Sequence, residues 1–462
     1  MIRWRIENGL PEIIRIRNKA VYMVDGWIIG KSAASAIHLR LGDKIFNASE
    51  KNIFRQDVSA TFSGFRIPVT VEPVQEEKDT EVSLHAAFRD GSVFEQPLGV
   101  VKFRKWNKRN VRIDIPASID RENLLVICMT TYNPDRELFQ RQIESIRNQT
   151  FKNWLCIVSD DHSSEAGRSV IREVLNGDGR FFLIEHEENK GFYHNFERCL
   201  EYVPEQAKYI ALADQDDYWY PNKLEECVGV LKRNERCQLV YCDMRIVDRE
   251  GNVLSDTYWK HRKNYYKPDN LDLLTLANTV TGAASVFRAE LLEDILPFPP
   301  RYGELFHDHW IAVIASAKGG IEYVNQPLYD YVQTSRNVIG HTDFGYKTIG
   351  DSVREYLKTD APNIRFILDK IRKAVVGLYN YKHRNARHIE AIVYNALLRD
   401  LDPRSRELIL RSQSVTGLMK VHRKVTKNKE TLNNLQFYLL FSILLNKLTH
   451  NVWLPLRGWV GR

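Results

Sequence analysis

Four times between Leu124 and Lys223, a short apolar run ends in a loop carrying Asp, Asn or Thr, and the chain resumes at helical spacing. The runs are Leu124 to Met129, Trp154 to Val158, Phe181 to Ile184 and Tyr209 to Ala213. Continuous apolar runs of this length read as buried strands. Strands alternating with helices build a parallel α/β sheet. Successive strands then point the same way, so their loops collect on one rim, where open α/β sheets bind ligands. Leu239 to Cys242 adds a fifth strand to the pattern.

The fourth loop is the most acidic. Asp214, Asp216 and Asp217 follow the strand at once, with Gln215 between them. Three like charges this close repel. A divalent cation relieves that repulsion, and carboxylate oxygens suit Mg²⁺ or Mn²⁺. An acidic turn that caps the next helix is the alternative. No GxxxxGK[ST] loop occurs, and the loop after the first strand has no GxGxxG. A P-loop enzyme and the usual dinucleotide-binding fold are therefore disfavoured.

The flanks differ in character. Residues 1–115 show mostly alternating runs punctuated by turns such as Asp25-Gly26 and Arg89-Asp90-Gly91, which predicts a small β-sandwich. Trp27, Phe62, Phe65 and Phe88 fit its core better than a sugar-stacking platform. Residues 103–123 read as a charged linker. The α/β segment is expected over 116–345 and a basic helical region over 346–462. Residues 371–462 hold 17 Lys/Arg against 5 Asp/Glu, a local +12 in a chain whose net charge is +7. A polyanion or an anionic membrane surface would suit this tail, as would a solvated basic face on a packed helix. No recognisable nucleic-acid motif accompanies the charge. The six cysteines form no CxxC pair and read as buried thiols of a reducing compartment. The N-terminus lacks a signal-peptide apolar core, and no apolar run approaches 18 residues. The expectation is a cytoplasmic protein, either free or held peripherally at the inner face of the membrane.

At this point the residues resemble the family 2 glycosyltransferases, inverting enzymes of the GT-A fold, and within them the bacterial rhamnosyltransferase-like members. The resemblance spans about Leu124 to His341. It is carried by Thr130-Thr131-Tyr132-Asn133-Pro134, Asp160-Asp161-His162-Ser163-Ser164, Asn189-Lys190-Gly191 with Asn195, Asp214-Gln215-Asp216-Asp217 with Trp219 and Lys223, Thr281-Gly282-Ala283, His307-Asp308-His309-Trp310, and Gln333 with Asn337-Val338-Ile339-Gly340. The last segment departs from the family pattern: Thr334 stands where histidine is usual, with His341 nearby.

The resemblance implies a Rossmann-like mixed sheet and a nucleotide-sugar donor. It implies donor contacts at Thr131, Tyr132, Asn133, Asp160, Asp161, Asn189, Gly191, Asp214 and Gly282. Asp216, with Asp214, would hold Mg²⁺ or Mn²⁺. Asp308 would be the catalytic base, with His307 as a competing assignment. Asp217, Trp219, His307 and Trp310 would contact sugar or acceptor, the two tryptophans fitting the pocket floor equally well. A glycan or lipid-linked acceptor follows, and dTDP-rhamnose is the donor that the DQDD-x-W form favours. A non-catalytic glycan-binding or scaffolding protein is the rival reading.

Overall fold

A computed structural model describes residues 2–54, 62–108, 113–261, 271–275, 278–302, 306–333 and 391–412. The chain divides into two units.

The first unit comprises Met1–Lys108 with the segments Pro297–Tyr302 and Glu390–Asp400. Its nine strands are β1 (Arg3–Asn8), β2 (Ile13–Ile16), β3 (Ala20–Ile29), β4 (Ala34–Leu41), β5 (Lys44–Asn47), β6 (Glu50–Phe54), β7 (Phe62–Val71), β8 (Lys78–Phe88) and β9 (Val93–Lys105). They form a four-stranded sheet in the order β1-β3-β7-β6 and a five-stranded sheet in the order β2-β9-β8-β4-β5. Ile67 and Val69 of the first sheet share one core with Leu39 and Leu84 of the second, as period-two alternation requires. Phe65 and Phe88 lie in that core. The expected linker begins three residues too early, because Phe103 to Lys105 finish β9 and Phe103 packs into the core.

The helical segment 391–397 was expected in a separate C-terminal region but belongs to this first unit. The reason is an amide match. Asn395 accepts from the Val21 N–H at 3.0 Å and donates to the Val21 carbonyl at 3.2 Å. Arg399 donates to the Lys19 carbonyl at 2.9 Å.

The second unit is an α/β domain around a mixed sheet. Its strands are β10 (Leu125–Thr131), β11 (Trp154–Asp160), β12 (Phe181–Glu185), β13 (Tyr209–Ala213), β14 (Tyr218–Trp219), β15 (Leu239–Val247), β16 (Val253–Ser255), β17 (Ser285–Arg288) and β18 (Ile321–Val332). Its helices are α1 (Arg136–Arg147), α2 (Glu165–Leu175), α3 (Gly191–Glu201), α4 (Lys223–Arg233), α5 (Tyr258–His261), α6 (Leu271–Leu274), α7 (Leu292–Ile295) and α8 (His307–Lys318), followed by Pro403–Ser412. The order is β12-β11-β10-β13-β17-β15-β18-β14, with β16 beside β15. The first four are parallel, and β17 runs antiparallel to both β13 and β15. All residues of β10, β11 and β13 are buried, which explains their unbroken apolar runs.

The strand order reverses at β10, so the loops leaving β10 and β13 flank the crevice where such sheets take ligands. Among the described residues, no helix is long and apolar enough to cross a membrane. The expected helix around Ile364 to Val375, the motif from Thr334 to His341 and the basic stretch Lys420 to Lys429 lie outside the described residues.

Candidate active site

Three loops at the strand ends are tied together by their own side chains. Thr131, the last residue of β10, donates from Oγ1 to Asp160 Oδ1 at 3.1 Å. Asp160, the last residue of β11, also takes the Ser163 N–H at 3.0 Å and the Ser163 hydroxyl. Asn133 has a positive φ of 43°; its side chain accepts from the Ser164 N–H at 2.9 Å and its N–H donates to Ser163 Oγ at 2.7 Å. Gln215 accepts from the Tyr132 N–H at 2.9 Å, joining the first loop to the acidic one. Tyr132 itself is 52% exposed.

Asp161 ties the next element. Its carboxylate receives the Lys190 and Gly191 N–H groups at 2.9 and 2.7 Å, capping the start of α3. Asn189 donates to the Asp161 carbonyl at 2.9 Å. Gly191 has φ +77°, a conformation in which a side chain would be strained. Asp160 and Asp161 are both buried and engaged with protein groups, so they order the rim as well as standing on it.

The acidic loop carries unrelieved charge. Asp214 and Asp216 keep a partly open surface, yet their surroundings are poorly hydrated. Burial pushes Asp214 up to about 6, against the pull of Lys223. Burial and then the Asp214 charge push Asp216 up to about 7. Asp217 lies deeper, with no exposed surface and no hydrogen-bonding side chain on either oxygen. Burial, Asp214 and Asp216 hold it well above the usual carboxylate range, opposed by Lys223 and the Val332 N–H. Asp217, expected at a sugar or acceptor contact, has no accessible surface and lies beneath the loop.

Trp219 and Trp310 resolve the same way. Both have no exposed surface. Trp219 faces the Lys223 ammonium, and the Trp310 indole N–H donates to the Ile295 carbonyl at 3.0 Å. Neither offers a free face to a sugar, so both belong to the floor.

The second half of the site comes from α8 and the Gly282 turn. Asp308 stands in the first turn of α8, where the helix dipole favours a carboxylate. Its Oδ1 accepts from Asn278 Nδ2 at 2.8 Å and the His309 N–H at 2.7 Å; its Oδ2 accepts from the Gly282 N–H at 3.1 Å. Burial still raises it to about 7, with the Asp214 charge adding to the rise. His307 stacks on Phe196 of α3, ring centroids 3.8 Å apart. Neither of its ring nitrogens has a hydrogen-bond partner, and burial lowers it to about 3. His309 hydrogen-bonds the Leu274 carbonyl, and burial lowers it to about 4. At neutral pH both histidines are uncharged.

Asn278, Gln215, Gln142 and Phe196 were not singled out from the sequence as site residues. Gln142 donates to the Asp214 carbonyl at 3.2 Å from helix α1. Asn278 and Phe196 belong to no acid motif, and only the fold brings them to Asp308 and His307. Gln215 was readable, since a polar side chain between two acids at a strand end has loop partners within reach. Among the described residues, no three His, Cys, Asp or Glu side chains could hold a metal ion by themselves.

The model of the family "Glycosyl transferase family 2" matches residues 126–296. An uncharacterised glycosyltransferase of Methanocaldococcus jannaschii is 29% identical over 154 residues, 32% of this chain and 52% of the relative. The Escherichia coli UDP-Glc:alpha-D-GlcNAc-diphosphoundecaprenol beta-1,3-glucosyltransferase WfgD is 31% identical over 130 residues, 28% of this chain and 49% of the relative. The chain thus spans about half the length of these two. A solved mannosyltransferase of Pyrobaculum calidifontis, in complex with GDP-Man and Mn²⁺, is 16% identical with a TM-score of 0.39, covering 72% of this chain and 90% of its own. The segment that matches the family 2 glycosyltransferase model lies within the α/β unit and carries the rim of carboxylates at the sheet's switch point.

Proposed function

We propose that the chain is a metal-dependent, inverting glycosyltransferase that moves a sugar from a nucleotide-sugar donor to a growing bacterial surface polysaccharide or a lipid-linked glycan. One observation carries the reading. Asp308 and Asp214 come from distant motifs, yet the charge of one bears on the other. A proton acceptor and an acidic loop are therefore within electrostatic reach of one another.

Two demands of the reaction map onto this pair. The acceptor hydroxyl must lose its proton, and the donor diphosphate must leave. Asp308 takes the proton, and its position near 7 suits a base that works at neutral pH. The acceptor oxygen attacks the anomeric carbon from the face opposite the diphosphate, and the carbon–oxygen bond to phosphate breaks, so the configuration inverts.

A divalent cation fits the acidic loop. Asp214 and Asp216 offer hard oxygens; burial raises the proton affinity of both, the Asp214 charge adds to that of Asp216, and Mg²⁺ or Mn²⁺ would favour their ionised forms. Asp214 and Asp216 would hold the cation beside the donor diphosphate. Bound there, the cation would neutralise the departing diphosphate. The loops of Thr131, Tyr132, Asn133, Asp160, Asp161, Asn189 and Gly191 frame the nucleotide side, with Gly282 and His307 on the sugar side.

The DQDD-x-W form favours dTDP-rhamnose as donor, and a diphosphoundecaprenol acceptor in a relative favours a lipid-linked glycan. Action on an acceptor of that kind would favour the cytoplasmic side, and the basic composition of residues 371–462 would suit an anionic membrane surface. A screen of sugar nucleotides for metal-dependent hydrolysis and transfer tests the reading. Selective turnover that disappears in Asp308→Asn supports it; a panel with neither turnover nor thermal stabilisation overturns it.

A further inference from the structure

Lys223 is electrostatically misplaced for an ordinary helix. It opens α4, at the end where backbone N–H groups concentrate positive potential. It is also fully buried. A buried ammonium needs partners to offset its lost hydration.

The partners all come from the site. Nζ donates to the Ala283 carbonyl at 2.6 Å. It stands 3.3 Å from the centroid of the Trp219 ring and 5.0 Å from that of Tyr329. An aromatic face at such range attracts a cation, and more strongly when both are desolvated. Asp214 and Asp217 lie within electrostatic reach. Trp219 and Lys223 therefore act together: the ring seats the ammonium, and the ammonium faces the acids.

The Ala283 contact extends this pair to the base. Ala283 follows Gly282, whose N–H donates to Asp308 Oδ2 at 3.1 Å. The turn between them leaves no slack, since a Cβ on Gly282 would come within 2.8 Å of His307 Nε2. Lys223, the 282–283 turn and Asp308 are linked by hydrogen bonds, with the acids of the carboxylate loop within electrostatic reach of the lysine.

We propose that Lys223, seated on Trp219, is a positioning residue for transfer: it holds the Gly282–Ala283 turn so that Gly282 keeps its N–H on Asp308. The inference rests on the glycosyltransferase reading for its consequence but not for its geometry. A filler of the core would need no donor and no charge, and methionine, of similar length, would replace it. A positioning cation would not be replaced so.

Lys223→Met is the test, with two readouts. The first is kcat against KM for the donor. The second is the Asp308 carboxyl titration, followed by carbon-13 NMR and assigned with Asp308→Asn. Loss of the turn should lower kcat on the order of 100-fold, as small misplacements of reacting groups do, while KM changes by less than about threefold. The Asp308 midpoint should move upward by about half a pH unit or more, because losing the Gly282 N–H donor disfavours the carboxylate. His307, His309 and Asp214, the other titratable groups beside it, are unchanged in Lys223→Met. A folded Lys223→Met protein with native kcat and an unmoved midpoint overturns the inference. Should that variant fail to fold, Trp219→Phe keeps the lysine and trims the ring beneath it. A smaller shift in the same direction supports the inference, and an unmoved midpoint with native kcat overturns it. If the wild type turns over no nucleotide sugar, the functional reading fails separately, and the titration still decides whether Lys223 governs Asp308.

Discussion

A Cβ added to Gly282 would lie 2.8 Å from Nε2 of His307, inside van der Waals contact. His307 cannot retreat easily, because its ring is stacked on Phe196 at 3.8 Å. Gly282→Ala should therefore displace the turn that donates to Asp308. Overpacking of this kind costs about 1–3 kcal/mol. We expect a lowered melting temperature together with a loss of kcat larger than the stability loss explains. Thermal melts beside initial rates measure both.

Asp308 and His307 are separable by pH. Asp308 is raised to about 7 and His307 is lowered to about 3. If Asp308 is the base, kcat/KM climbs with pH through a limb near 7, as the carboxylate forms. His307→Gln should weaken transfer and leave the limb in place; Asp308→Asn should abolish transfer. A limb that vanishes in His307→Gln would reassign the base.

The acidic loop makes stability fall with rising pH when no metal is bound. Asp214 and Asp216 titrate at about 6 and 7 when folded, above the unfolded carboxylate range. Between roughly pH 4 and 7 the folded state then holds more of these protons than the unfolded state, so each rise in pH removes stability. This contribution is full near pH 4 and lost through pH 7. Asp216→Asn should flatten that part of the pH–stability curve relative to wild type. Mn²⁺ acts oppositely, since it competes with protons for the same oxygens. At a hundredfold excess over its dissociation constant it should add about 2.7 kcal/mol near neutral pH and little at pH 5. Denaturant melts with and without Mn²⁺ across pH 5 to 8 test both statements.

Asp160→Ala would strand the Thr131 hydroxyl and both Ser163 donors in a buried place. Each orphaned donor costs about 1–3 kcal/mol, and several can rehydrate together, so a loss on the order of 3 kcal/mol is expected. Asp160→Asn keeps the shape and one acceptor, and should lose less. The urea midpoint reads the order of the two variants, and equal midpoints would show that the loops hold without this carboxylate.

The domain core and the position of the acids were legible in the residues. Unbroken apolar runs mean strands buried on both faces, and β10, β11 and β13 are such strands. The antiparallel insertion of β17 between β13 and β15 was not legible, because a four-residue strand carries no directional signal. The attachment of 391–400 to the first unit was equally silent, since it depends on one asparagine matching one backbone pair.

Local sequence determined which residues carry charge and that the loops of β10, β11 and β13 share a rim, because strand direction fixes the side on which each loop emerges. Tertiary structure decided what each residue does there. Burial and aromatic packing are properties of neighbours distant in the chain, so only the fold could turn Trp219 from a sugar platform into a seat for Lys223. The fold likewise placed Asp217 beneath the site and gave Asp308 its partners Asn278 and Gly282. Proton affinity followed from that placement, since a carboxylate's hydration and its neighbouring charges are set by what surrounds it in space.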